Sequence, residues 1–188
     1  MARVRTLTLV ATAVAVTALG AGTAGAAVLE RGTYTDEPYS FSHTDCGFDV
    51  DVAGTNSGHY RIRTGKGKTD TAFFQMDNWS FTETQTNPAN GKYVTITANG
   101  VFNETKATRV EGTVFEFWAV EAAQYRLYDS SGRLVARDRG SIRFHILFDT
   151  EGDDVPGGVT VEEFPPRVNG PHPGFDDFCG LITPLIGS

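Results

Sequence analysis

From Phe48 to Phe148 apolar residues recur at every second position, and a helical period of 3.6 is almost absent. Alternation of this kind is the signature of strands with one face buried and one face wet. In FDVDV, Phe48, Val50 and Val52 fall on one side and Asp49 and Asp51 on the other. HYRIR separates Tyr60 and Ile62 from His59, Arg61 and Arg63, and YVTITA separates Val94, Ile96 and Ala98 from Tyr93, Thr95 and Thr97. FFQMDNWSF, VFNETKATRV, TVFEFWAVEAAQYRLY and RLVARDRGSIRFHILF complete the series. In the third of these Ala122-Ala123 marks a bulge or break, and in the fourth Gly140 marks a bulge or bend. Asp129-Ser-Ser-Gly132 suits a type I hairpin turn, with Asp first and Gly last.

Seven or eight strands joined by short turns form an antiparallel meander, which must close on itself or split into two packed sheets. The predicted fold is therefore all-β, a single barrel of about eight strands over residues 46–149, with a β-sandwich as the alternative. Residues 27–45 read as an extended N-terminal segment. Residues 150–188 read as an irregular Pro/Gly-rich segment. Its last apolar side chains, Phe175, Phe178, Leu181, Ile182, Leu185 and Ile186, are expected to pack over one end of the sheet.

Residues 1–26 carry Arg3 and Arg5, an uncharged run from Thr6 to Ala18, and Ala24-Gly25-Ala26. This is the pattern of a secretory signal peptide, and the apolar run is too short for a membrane anchor. The expected localisation is extracellular, with no membrane span in the mature chain. Cleavage removes two arginines and takes the formal charge from −7 to −9. An acidic surface excludes a nucleic-acid partner, which needs clustered Lys and Arg. An exported chain with two cysteines implies a Cys46–Cys179 disulfide.

Four motifs invite chemistry. GKGKT, Gly65–Thr69, lacks the first glycine of a phosphate-binding loop, because Ile62 stands there. Asp149–Gly158 has four carboxylates but misses the glycine and glutamate positions of a calcium-binding hand. His43, Asp45, His172, Asp176 and Asp177 all lie near the two cysteines. Bridging the thiols removes them as ligands, so this group reads as a staple with polar neighbours and no metal is assigned. Lastly, Asp77 shares parity with Phe73, Trp79 and Phe81, and Glu116 with Val114, Trp118 and Val120. If those faces point into a barrel, buried acids stand among aromatics, which makes Asp77, Glu116, Trp79 and Trp118 the candidate ligand-binding residues. His145 lies opposite the apolar parity and reads as a surface residue. No cofactor and no catalytic residue is assigned.

CGF followed by alternating valines at 46–52, TQTNPANGKYVTI at 84–96, YDSSGRLVARDRGSIRF at 128–144 and DFC at 177–179 resemble the small secreted proteins of actinobacteria. The resemblance rests on turn and cysteine signatures and carries no catalytic residue. At the level of fold the chain is also similar to allene oxide cyclase and dirigent barrels, which implies an apolar lumen that binds small molecules. The expected function is thus a binding module for a small apolar ligand or a cell-surface partner. The alternatives are a lumen isomerase or cyclase and a structural envelope protein.

Overall fold

The computed structural model describes residues 28–65, 72–152, 156–171 and 176–188. Residues 1–27, and with them the expected leader, most of GKGKT, Asp153, Asp154, His172 and Phe175 lie outside them. Five long strands form the body: β3 (Val50–Thr64), β4 (Phe73–Thr86), β5 (Tyr93–Glu111), β6 (Val114–Asp129) and β7 (Leu134–Asp149). Two short strands, β1 (Val28–Thr35) and β2 (Tyr39–His43), both pair with β3. Two more, β8 (Val159–Glu163) and β9 (Arg167–Asn169), both pair with β7. Every pairing is antiparallel, in one nine-stranded sheet of order β1-β3-β4-β5-β6-β7-β8.

The all-β meander stands as the alternation predicts. Its closure differs: among the described residues no ladder joins the β1 side to the β8 side, so hydrogen bonds do not complete a barrel, and there is one sheet rather than the two of a sandwich. The segment expected to be merely extended, 27–45, supplies β1 and β2. The segment expected to be irregular supplies β8, β9 and a helix, α1 (Phe178–Ile186). Asp177 caps that helix, its Oδ1 accepting from the Gly180 N–H at 2.9 Å. Phe178, Leu181, Ile182, Leu185 and Ile186 follow the i, i+3, i+4 spacing that gives a helix one apolar face.

Register locates the irregularities. Pairing runs unbroken through Ala122-Ala123 and Gly140, so the bulges expected there are absent. The extra residues are Leu29 on β1, Thr105 and Val110 on β5, Val135 on β7 and Val161 on β8. The hairpin at Asp129 forms as its residues require, with Gly132 at φ 80° and Asp129 Oδ1 accepting from the N–H groups of Ser131 and Arg133, each at 3.0 Å.

One row crosses the middle of the sheet in register: Tyr34, Gly58, Trp79, Gly100, Ala123 and Gly140. Trp79 lies flat across Gly100, where a Cβ would come within 2.5 Å of the indole. Glycine is needed at Gly100 for this close approach, and the aromatic in turn covers the bare backbone. The row divides one face of the sheet into two cores. On one side Phe74, Ala107, Phe115 and Phe117 pack with Ile146 and Phe148. On the other, α1 lays Ile182 and Ile186 against Val94 and Leu127. Cys46 and Cys179 are bridged, with Cα atoms 5.1 Å apart, and this fastens the helix to the chain just ahead of β3. At the far end of α1 the Ile186 carbonyl accepts from Asn87 Nδ2 at 2.8 Å and Asn90 Nδ2 at 3.0 Å.

Candidate functional site

Buried Phe115, Phe117, Ala119 and Leu127 show that odd positions of β6 face the core. Asp77 and Trp79 on β4 share that face through the register Asp77, Phe102, Glu121 and Trp79, Gly100, Ala123. Glu116 and Trp118 stand on the opposite face. The expectation that grouped all four around one lumen is therefore corrected: β6 carries apolar residues on both faces, and the Val114-Trp118 side is the outer one.

Glu116 and Trp118 nevertheless have close company. Glu116 Oε1 is 2.7 Å from His145 Nε2. The imidazole is sandwiched between Trp118, 4.0 Å away at 5°, and Phe164, 4.1 Å away at 13°. His145 lies outside as its parity indicated, but it is half-buried, and it pins the chain after β8 to the sheet. On the staple, His43 Nδ1 lies 3.5 Å from Asp45. Among the described residues no three His, Cys, Asp or Glu converge as a metal site would require.

The core face carries more acid than the alternation first suggests. Asp77 Oδ2 accepts from the Tyr34 hydroxyl at 2.9 Å, while its Oδ1 is buried without a partner among the described residues. Burial raises the Asp77 pKa against the opposing effect of that hydrogen bond. Burial, reinforced by Asp77, raises Glu121. Burial raises Glu104 from 4.5 to about 7, although its carboxylate accepts from the Gln75 N–H and feels Arg63. Tyr125 is pushed up to about 12 by burial and by the charges of Glu121 and Asp138. Glu104 and Glu121 were legible, since they share parity with Val94, Ile96 and Phe102 and with Phe115 and Phe117 respectively. Glu121 is hidden in the sequence by the equally apolar Val114, Trp118 and Val120 on the other face of β6.

Two concavities flank this arrangement. One is an open groove of about 1010 Å³ on the outer face along the central row, walled by polar side chains such as His59, Asn78, Ser80, Asn99 and Gln124. The other is a cavity of about 210 Å³ between α1 and the core face. Ile96, Leu127 and Ala136 form its floor, and Phe178 and Leu181 of the helix its roof. Phe81 and Tyr125 wall one side, as part of an aromatic cluster with Trp79 whose ring centroids are 5.9 to 6.1 Å apart. Gln85 and Asp138, both only 6% exposed, and Arg126 supply polar edges. Asp77, Glu104 and Glu121 do not line it. An apolar cavity with a few convergent polar groups is the usual form of a small-molecule site.

Comparison of the chain with known protein families, with curated proteins and with solved structures returns no match. No helix among the described residues is long and apolar enough to cross a membrane.

Proposed function

We propose that this chain is an exported binding protein that holds a small, mainly apolar ligand between α1 and the core face of the sheet. The observation that carries this reading is the cavity of about 210 Å³ whose roof is a helix fastened by the Cys46–Cys179 bridge. An engineered apolar cavity of about 150 Å³ takes up benzene, so the space suits a single ring with a short substituent. Export is supported by the leader-like residues 1–26. The resemblance of its turn and cysteine signatures to secreted actinobacterial proteins points the same way. The raised carboxylates of the core face lie outside the cavity lining, which favours binding over chemistry. The test is ligand-observed NMR of single-ring phenols, alcohols and hydrocarbons against the wild type and Leu181→Trp, whose indole fills the cavity from the roof. Binding lost in the variant supports the site. Equal binding by a folded Leu181→Trp refutes it.

A further inference from the structure

The outer face of the sheet carries a charge opposite to that of the whole chain, which is −7. The register sets Arg137, Arg139 and Arg143 on the outer face of β7, opposite Arg126, Gln124 and Val120 of β6. On the other side of β7, Arg167 of β9 stands opposite Arg143. Like charges directly opposite one another destabilise a sheet. Here the opposition occurs at Arg126 with Arg137 and again at Arg143 with Arg167. Arg137, Arg139, Arg143 and Arg167 are exposed, and among the described residues none of the four forms an ion pair. The three on β7 are spread over about 20 Å of strand.

The open groove of about 1010 Å³ runs into this strip, crossing the sheet from His59 on β3 to Arg139 on β7. Among the described residues no Asp or Glu lines it. Its polar groups are the hydroxyls of Ser57 and Ser80 and the amides of Asn78, Asn99 and Gln124. Each amide offers donors and an acceptor side by side, the pairing that neighbouring sugar hydroxyls require. Arg126 Nη2 donates to Gln124 Oε1 at 2.6 Å, which leaves the Gln124 Nε2 as a donor. Tyr34 and Trp79 turn to the core face, so the bases of a single strand would find no ring to stack on. The groove crosses the strands instead of following an edge, so a peptide cannot join it as an added strand.

We propose that this face binds an anionic polysaccharide. Its hydroxyls would meet the amides and serines of the groove, and its carboxylate or sulfate groups would meet Arg137, Arg139, Arg143 and Arg167. A guanidinium matches either anion with paired N–H donors, and a bound anion relieves the repulsion between opposed arginines. The site lies on the face opposite α1 and its cavity, so it stands or falls independently of ligand binding there.

The test titrates the purified, oxidised chain with polygalacturonate, dextran sulfate and uncharged dextran by calorimetry at low ionic strength. The anionic polymers should bind at least roughly tenfold more tightly than dextran, and the affinity should fall as salt is raised. Binding of only one of the two supports the proposal and assigns the anionic group. Arg137→Gln with Arg139→Gln, two exposed positions, should weaken binding roughly tenfold. Undiminished binding by that variant overturns the role of the arginines. Asn99→Ala keeps every charge and should weaken the polysaccharide severalfold; an unmoved affinity overturns the role of the groove. Polyglutamate or single-stranded polydeoxythymidine bound as tightly as the polysaccharides overturns the choice of a glycan. Binding of neither anionic polysaccharide overturns the proposal as a whole.

Discussion

Glu104 gives the sharpest test of the electrostatics on the core face. Its carboxylate accepts from the Gln75 N–H beside the β5 bulge at Thr105, and burial raises its pKa from 4.5 to about 7. Because the folded value lies above the unfolded one, the folded state keeps a proton that the unfolded chain has already released. The associated stability is therefore fully present below about pH 4.5 and is lost as pH rises through about 7. Each tenfold change in proton affinity is worth about 1.4 kcal/mol, so the gap between 4.5 and about 7 corresponds to at most about 3 kcal/mol. Glu104→Gln is neutral at every pH and keeps an amide oxygen to accept from Gln75. Urea unfolding at pH 4.5 and pH 8 should show the variant matching the wild type at the lower pH and exceeding it by up to about 3 kcal/mol at the higher. Asp77 and Glu121 are also raised, but they are common to both proteins and cancel in the difference. A stability difference between the two proteins that does not change with pH would falsify this account of Glu104.

Cys46→Ser with Cys179→Ser should destabilise by about 2–4 kcal/mol, since the bridge closes a separation of 133 residues. The double variant should also lose binding in the cavity, because its roof is then held only by packing and the Asn87 and Asn90 hydrogen bonds; unchanged affinity would show that the helix docks without its bridge. Gly100→Ala should cost about 1–3 kcal/mol, because the new Cβ meets Trp79 at 2.5 Å and the Ala122 carbonyl at 3.0 Å. Strand preference and unfolded-state entropy alone predict the opposite sign, so a stabilised Gly100→Ala in urea unfolding would show that Trp79 simply moves aside.

The long strands were legible because each repeats its alternation over enough residues to average out exceptions. On β6 the alternation alone is ambiguous. Val114, Trp118 and Val120 read as apolar as Phe115, Phe117 and Ala119, and what distinguishes the faces is non-local: Trp118 is covered by His145 from β7 and by Phe164 from beyond β8. The edge strands escaped for the opposite reason. VLERGTYT in β1 and VTVEE in β8 are largely exposed, so they carry no burial pattern to read, and only pairing with β3 and β7 makes them strands. The helix escaped because Gly180 and Pro184 weaken its intrinsic propensity within nine residues. Its order comes from the Asp177 cap, the bridge, and two asparagines almost a hundred residues away.

The candidate site depends on that same distance. In TETQT, Gln85 is one polar residue among several, and nothing in its neighbours marks it for burial. It is buried because α1 returns over it, and α1 is held there by a bridge whose other half precedes β3. The two cysteines are thus more than a staple for a loose tail. They place Phe178 and Leu181 opposite Ile96 and Leu127, and so enclose a space that the open sheet cannot enclose for itself. A barrel closed by hydrogen bonds would set its lumen by strand number and shear. Here the apolar volume is set by where one covalent bond fastens one helix, so changes in the roof should alter the ligand accepted without disturbing the strand register beneath it.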